Sequence, residues 1–138
     1  MKLTLTIPGE PVAKGRPRVM KSGITFTPAK TKNYETLVKE LFIIKYLDHR
    51  PLEGPLRCFI DAYMQIPKSA SKKKLEAMQK GYIRPTKRPD VDNLCKSITD
   101  ALNGIAYRDD SQIVSCHINK RYDLMPRVEI EIEEVSEI

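Results

Sequence analysis

Cysteine and histidine are scarce in this sequence of 138 residues, which has only three cysteines and two histidines. The sequence has no CxxC pair, and its two histidines are not spaced as in a zinc site. The patterns typical of a zinc site or of a disulfide framework are therefore missing. We expect Cys58, Cys95 and Cys116 to be reduced, mostly buried thiols. With only two histidines to act as the base, a Cys/His or Ser/His catalytic site is disfavoured as well.

Long apolar runs are also missing. The longest, residues 41–44, is far shorter than the roughly 20 residues of a membrane span, and the amino terminus shows no secretory apolar segment. We therefore expect a cytoplasmic protein without a membrane partner. The glycine motifs that bind phosphates and dinucleotides are absent, and so is the HExxH zinc motif.

Hydrophobic residues make up 41% of the chain and charged residues 30%, which is typical of a folded globular protein. A chain of this length can bury about two thirds of its unfolded surface around one core. We predict a single domain over residues 1–138, with a basic loop arm over residues 8–23 and an acidic strand or tail over residues 129–138. The acidic segment is expected to be a solvated edge strand.

Positive charge is concentrated in two segments. The net charge of +6 rises to +11 over residues 1–128, which hold all 24 cations and 13 of the 18 acids. Residues 11–34 carry six cations and no acid, and residues 68–88 carry eight cations and one acid. Such blocks favour a phosphate-rich partner over a merely solvated surface, because several cations are arginines whose planar fork suits phosphate oxygens. The cations that we expect to contact DNA are Lys14, Arg16, Arg18, Lys72, Lys73, Lys74, Lys87 and Arg88.

The hydrophobic pattern predicts an α+β domain in which two to three helices pack on a mixed sheet. The first strand is predicted over residues 2–7, with a turn at Gly23, and another strand over residues 56–66. The last two strands, residues 112–122 and 127–135, are predicted to form an antiparallel hairpin.

Three helices are predicted between these strands. Thr27 and Pro28 predict the start of the main helix, as its N-cap and first helical residue, and the helix runs to about His49 with Ile44 and Leu47 on its apolar face. A short lysine-rich helix is capped by Ser69 or Ser71. The last helix begins at Asp92 as N-cap and runs to about Asn103; its core-facing residues are Leu94, Ile98, Ala101, Leu102 and Ile105.

Two tight acidic pairs lie beside this positive charge, Asp90 with Asp92 and Asp109 with Asp110. Acids would repel a polyanion unless a cation neutralised them, and Mg²⁺ does so by binding carboxylates together with substrate phosphate oxygens. Ordinary structural roles are open too, because Asp92 is placed to cap a helix, Asp109 to close a turn, and Lys96 to pair with Asp92 one turn away.

Three motifs follow one another in the second half of the chain. They are RPDVDNLCK at residues 88–96, DALNG at residues 100–104 and YRDDSQIV at residues 107–114. Together they resemble the signature of the RusA-type Holliday junction resolvases. The opening PGEPVAKGRPR of residues 8–18, followed by Thr27-Pro28 and Tyr34-Glu35, also resembles the start of many relatives, so the resemblance covers nearly the whole chain.

The resemblance implies a magnesium-dependent endonuclease, with Mn²⁺ as a substitute metal, that acts as a homodimer. Such an enzyme cuts four-way DNA junctions by paired nicks during recombination and repair, often in a prophage. Carried over by position, the metal ligands are Asp90, Asp92 and Asp110, and the essential lysine is Lys96. Asp109 is the less certain member of its pair. The KGRPR arm departs from some relatives, so its DNA contacts rest on charge alone.

Two other functions stay open at this point. The first is a non-catalytic protein that binds branched DNA, in which the acids only cap helices and close turns; metal-dependent cleavage separates it from a nuclease. The second is a magnesium-dependent transferase that holds a nucleotide diphosphate with the DxD motif, although no aromatic platform for a nucleoside is evident.

Overall fold

Alternating apolar and polar residues at the amino terminus form the first strand. The computed structural model describes residues 1–15, 18–26 and 28–135, with backbone alone at Arg18 and Phe26. In it, strand β1 spans Lys2–Pro8. A loop arm leads to a small hairpin of β2 (Arg18–Val19) and β3 (Thr25–Phe26). The predicted first strand and the turn at Gly23 are thereby confirmed. The predicted loop arm over residues 8–23 stays a prediction, because Pro8 belongs to β1, residues 18–19 form β2, and residues 16 and 17 lie outside the described part of the chain.

The main helix, α1, spans Ala29–Lys45. Pro28 is the residue before the helix rather than the first helical residue, which corrects the prediction by one position, and Thr27 lies outside the described residues. The helix ends at Lys45, four residues before the predicted end at about His49.

Helix α1 ends where the backbone of Tyr46 leaves helical geometry, with φ −126° and ψ 66°. The Tyr46 hydroxyl accepts a hydrogen bond from the Thr4 N–H at 2.9 Å and donates one to the Thr4 carbonyl at 3.1 Å, which satisfies backbone groups of strand β1. Ile44, within the helix, and Leu47, after it, are exposed, so their predicted place on the core face is wrong.

Two further helices follow strand β4 (Leu56–Gln65). Helix α2 spans Lys72–Gln79 and is capped by Ser71, whose hydroxyl accepts a hydrogen bond from the Lys74 N–H. Helix α3 spans Val91–Leu102, and its predicted apolar face packs into the core. None of the helices in the described part of the chain is long and apolar enough to cross a membrane.

The four long strands form one mixed sheet, which confirms the α+β class. Strand β5 spans Ile113–Asp123, β6 spans Arg127–Glu134, and the order across the sheet is β1-β6-β4-β5. The predicted hairpin of the last two strands is wrong, because β4 lies between them, parallel to β5 and antiparallel to β6. β4 buries every second side chain along most of its length, and a strand this apolar is best placed inside a sheet.

The two faces of the sheet differ in chemistry. One face is apolar and packs under α1 and α3. The other carries ion pairs, including Arg57 with Glu133 at 2.9 Å and Arg127 with Glu129 at 3.0 Å. Residues 129–134 of the acidic segment belong to β6, an inner strand between β1 and β4 and not the predicted edge strand, and residues 136–138 lie outside the described residues. The apolar residues of β6 alternate with the glutamates and pack into the core; they are Val128, Ile130 and Ile132.

Candidate active site

The first acidic pair lies where the chain enters α3. The residue at the cap position is Asp90 rather than Asp92, and its side chain makes no capping hydrogen bond with any described residue. Asp92 is in the first helical turn, and both residues are exposed. The predicted capping role of Asp92 is therefore wrong, and the structure leaves both carboxylates available for a ligand.

A cleft of about 800 Å³ opens beside Asp90. Its walls come from the amino-terminal arm, the start of α1 and the approach to α3. Arg88 and Lys30 line the cleft together with Asp90, so a carboxylate and two cationic side chains face one space. Cations of this kind bind phosphate oxygens, whereas a carboxylate among them suits a metal ion bound at the same place.

The arm is held in place from two sides. The Lys14 N–H donates to the Asn93 carbonyl at 2.9 Å, and the Gly15 N–H donates to the Thr31 hydroxyl at 2.9 Å. A Cβ on Gly15 would lie 2.9 Å from that hydroxyl oxygen and 3.0 Å from the Pro28 ring, so only glycine allows this close approach. The basic arm thus forms one wall of the cleft.

The Lys14 side chain is half-buried, and its ammonium is engaged by two carboxylates of the chain. It pairs with Glu35 and lies 3.4 Å from the Asp100 carboxylate. Burial acts to lower the pKa of Lys14, but the bonds and charges of the two carboxylates outweigh it, so the pKa is raised. The charge of Lys14 is therefore compensated within the chain, and its predicted contact with DNA stays a prediction. Through Lys14, the Asp100 carboxylate ties the arm to α3.

The second acidic pair precedes β5, at a single 3₁₀ turn over Asp110–Gln112. The Asp109 carboxylate accepts hydrogen bonds from the N–H and hydroxyl of Ser111, and the Gln112 side chain accepts one from the Asp109 N–H. These bonds with Ser111 hold the pKa of Asp109 below its usual value. Asp109 is thus occupied as a cap.

Asp110 is half-buried, and its carboxylate accepts no hydrogen bond from the described residues. The neighbouring Tyr107 hydroxyl donates to the Thr99 carbonyl at 2.5 Å in the last part of α3. Burial raises the pKa of Tyr107 above its usual range, and the charges of Asp110 and Asp100 raise it further.

Magnesium is compatible with this donor set, because carboxylate oxygens are its preferred protein ligands. Within residues 1–15, 18–26 and 28–135, no three His, Cys, Asp or Glu side chains are gathered as a metal-binding group. Mg²⁺ commonly uses one or two carboxylates and takes its other ligands from water and substrate phosphates. Asp90 and Asp92 supply two carboxylates of this kind, and the role of Asp90, Asp92 and Asp110 as metal ligands stays a prediction.

Most of the remaining predicted residues are exposed. Lys96 is exposed on α3, one turn after Asp92. All three lysines of α2 are exposed, as are Lys87, whose carbonyl accepts a hydrogen bond from the Lys120 ammonium, and Arg88. Arg16 and the Arg18 side chain lie outside the described residues. The assignment of these cations to DNA stays a prediction.

Two contributions to the site could not be anticipated from the motifs. Lys30 belongs to the first basic segment, but nothing in its spacing indicates that it lines a cleft with Asp90. Tyr107 stands inside a motif, yet its hydrogen bond with the Thr99 carbonyl depends on the fold of the segment after α3. The sequence shows which residues stand at these two positions, but it does not show which residues they contact in the fold.

Comparison with known proteins places this geometry in context. A family model described as "Endodeoxyribonuclease RusA" matches residues 8–133. An uncharacterized protein of Bacillus subtilis (strain 168), YqaN, is 43% identical over 142 aligned residues, covering 97% of each chain. A Lactococcus phage r1t protein named crossover junction endodeoxyribonuclease rusA is 49% identical over 51 residues, covering 36% of this chain and 39% of the phage protein.

Proposed function

The chain belongs to the RusA family of endodeoxyribonucleases, and from this premise we propose that it is a magnesium-dependent nuclease that resolves four-way DNA junctions. The observation that carries the proposal is a pair of exposed carboxylates at the start of α3, those of Asp90, which makes no capping hydrogen bond, and of Asp92. Asp90 lines a cleft that is also lined by Arg88 and Lys30, and Asp92 follows it in the first turn of α3. The name of the phage relative supports a junction as the substrate.

In this proposal Asp90 and Asp92 hold Mg²⁺, with Asp110 as a further ligand and Mn²⁺ as a substitute metal. The bound metal supplies Lewis-acid activation of the scissile phosphate and a more acidic water. Arg88 and Lys30 hold phosphate oxygens of the bound strand in the cleft.

Lys96 has a separate role in the proposed site. It projects from α3 one turn after Asp92, and its ammonium stabilises negative charge that develops on the phosphate or on the leaving oxygen. The exposed lysines of α2 and Lys87 give a wider basic surface for the junction arms. Binding should therefore weaken steeply with salt, whereas a flat salt response would argue against this surface.

Resolution of a four-way junction needs two cuts on opposed strands. We therefore propose a homodimer with twofold symmetry, in which each copy supplies one site. Sedimentation should find a dimer at the concentrations that support cleavage, and a monomer alone would count against paired cutting. Recombination and repair, in the host or from a prophage, are the processes that supply such junctions.

The decisive experiment compares a labelled synthetic four-way junction with a linear duplex of the same sequence, with Mg²⁺ and with EDTA. The wild type should nick the junction symmetrically and spare the duplex, and EDTA should abolish cleavage. Asp92→Asn should lower the cleavage rate by about 10³-fold or more, because it removes a metal-binding charge, while junction binding is retained.

Asp109→Asn is the matched control, because asparagine can keep the cap at Asp109 while it removes one acid close to the site. It should cleave within about threefold of the wild type. Tight junction binding without cleavage under any divalent metal would instead make the chain a non-catalytic branched-DNA-binding protein.

A further inference from the structure

The three cysteines are far apart in sequence but meet in the structure. The Sγ atoms of Cys95 on α3 and Cys116 on β5 are 3.4 Å apart. Cys58 on β4 is the register partner of Cys116 across the parallel strand pair. Cys58 is buried, Cys95 is half-buried and Cys116 is exposed, which corrects the prediction that most of these thiols are buried.

We propose that Cys95 and Cys116 form a reversible disulfide when a low-molecular-weight disulfide, such as oxidised glutathione, reacts with the protein. A disulfide has an S–S distance of about 2.05 Å. The two sulfurs therefore need to approach by only about 1.4 Å, a change that small side-chain and helix shifts can supply. Oxidants can reach this pair because Cys116 is exposed.

The exchange proceeds in two balanced steps. The Cys116 thiol loses its proton to water, and its thiolate attacks one sulfur of the small disulfide, so the reagent's S–S bond breaks and one small thiolate leaves and takes up a proton. The Cys95 thiolate then attacks the Cys116 sulfur and expels the second small thiol. Two protein thiols are oxidised, and one small disulfide is reduced to two thiols.

Position favours Cys116 as the first sulfur to react, but its chemistry makes the reaction slow. The contact with the Cys58 thiol raises the pKa of Cys116, the contact with Cys95 partly opposes this, and with burial the pKa is about 11. The thiolate is the reactive form. The rate of exchange should therefore rise as the pH is raised above 7.

The disulfide would fix α3 on β5 and close a loop over residues 95–116. This loop contains Lys96 and Asp110, and Cys95 lies between Asp92 and Lys96 on the helix. A displacement of about 1 Å in a catalytic group can lower a rate by about 10²-fold. On the premise of the proposed nuclease function, the oxidised protein should cleave junctions at least about tenfold more slowly than the reduced protein.

The first test does not depend on any enzymatic activity. The wild-type protein is incubated with oxidised glutathione at pH 8.5, remaining thiols are alkylated, and the linked peptides are identified by mass spectrometry. Cys95 should be linked to Cys116, and the melting temperature should rise by about 5–10 °C, because the bond constrains the unfolded chain. Reduction with dithiothreitol should reverse both changes.

Two variants decide which cysteines pair. Cys116→Ala, at an exposed position, should abolish the linkage and the rise in melting temperature. Cys58→Ala should retain both, because Cys58 is only a neighbour of the pair. A linkage between Cys58 and Cys116, or glutathione left attached to Cys116 with no internal bond, would overturn the proposal.

The second test measures junction cleavage by fully oxidised and fully reduced protein. A loss of at least about tenfold on oxidation, reversed by dithiothreitol and absent in Cys116→Ala, supports the effect on the site. Equal cleavage by both forms would overturn that effect. If even the reduced protein fails to cleave, the proposed function is refuted, while the linkage and melting temperature still decide the disulfide.

Discussion

The two acidic pairs look equivalent in the sequence but are used differently in the structure. Asp109 is bound by the N–H and hydroxyl of Ser111 and acts as a cap, whereas its neighbour Asp110 accepts no hydrogen bond from the described residues. Asp90 and Asp92 are both free of capping bonds, although Asp90 occupies the cap position of α3. Three of the four carboxylates are therefore available for a ligand.

The difference arises from the residues that follow each acid. At Asp109 the next two residues place the Ser111 N–H and hydroxyl within reach, so the turn satisfies its own carboxylate. At Asp90 the following residues are Val91, Asp92 and Asn93, and no such donor bonds to its carboxylate. A carboxylate without local donors keeps its oxygens for a metal or another cation. The comparison gives Asp109 a structural role and leaves the other three acids as candidate metal ligands.

The largest test of this comparison exchanges the two neighbouring acids one at a time. Asp110→Asn should lower junction cleavage by about 10²-fold or more, because a metal-facing charge is lost, whereas Asp109→Asn should remain within about threefold of the wild type. Single-turnover cleavage at saturating protein measures both. The reverse ranking would transfer the catalytic role to Asp109 and break the comparison.

A second test concerns Asp100, an acid of α3 that is already paired. Lys14→Met should leave Glu35 and Asp100 without their shared cation and loosen the arm that walls the cleft. We expect cleavage to fall by about tenfold, mainly through weaker binding of the junction. Lys21→Met, a change at an exposed lysine between β2 and β3, serves as the charge-matched control.

Binding of the junction by Lys14→Met and Lys21→Met should be compared at two salt concentrations. If the two variants lose affinity equally and show the same change in salt dependence, Lys14 acts only as one more surface charge. A larger loss for Lys14→Met supports its role in placing the arm.

Much of the fold follows from local pattern. The period of two in β1, the period of 3.6 in α3 and the serine before α2 predict these elements because each depends on neighbours in sequence. The strand order does not follow from local pattern, since both β5 and β6 alternate well enough to pair with each other in a hairpin. Each of them pairs with β4 instead, and this choice of partner is a property of the whole sheet.

The candidate site was partly predictable for the same reason. The acids, Lys96 and the basic segments are visible because they lie in short motifs with distinctive spacing. The pairing of Lys14 with Asp100, the cleft place of Lys30 and the meeting of the cysteines join residues that are far apart in the chain. Such contacts require the tertiary structure, which spacing alone does not contain.

A third test compares the stability of the two cap positions. Asp109→Ala removes the carboxylate that binds Ser111 and should lower the melting temperature by a few degrees. Asp90→Ala removes a cap residue that makes no capping bond and should leave the melting temperature within about 1 °C of the wild type. Differential scanning calorimetry without metal measures both, and an equal loss in the two variants would mean that Asp90 also caps its helix.

The smallest expected effect is the acid dependence of stability. The folded state lowers the pKa of Asp109 through its bonds with Ser111, and that of Asp123 through its bond with Arg127. A lowered pKa contributes stability above the unfolded value of 3.8, and this contribution is lost as the pH falls through the folded value. Between pH 6 and pH 3, the wild type should therefore lose more melting temperature than Asp109→Asn, which has no acid to protonate at that position. The double variant Asp109→Asn/Asp123→Asn should show a still flatter profile of melting temperature against pH, because the two acids lie at separate sites and their contributions add.

The opposite outcome is a pair of parallel profiles for the wild type and Asp109→Asn. It would show that the Ser111 bonds stabilise the charged and the protonated carboxylate of Asp109 equally. The electrostatic difference between Asp109 and the other three acids would then no longer hold.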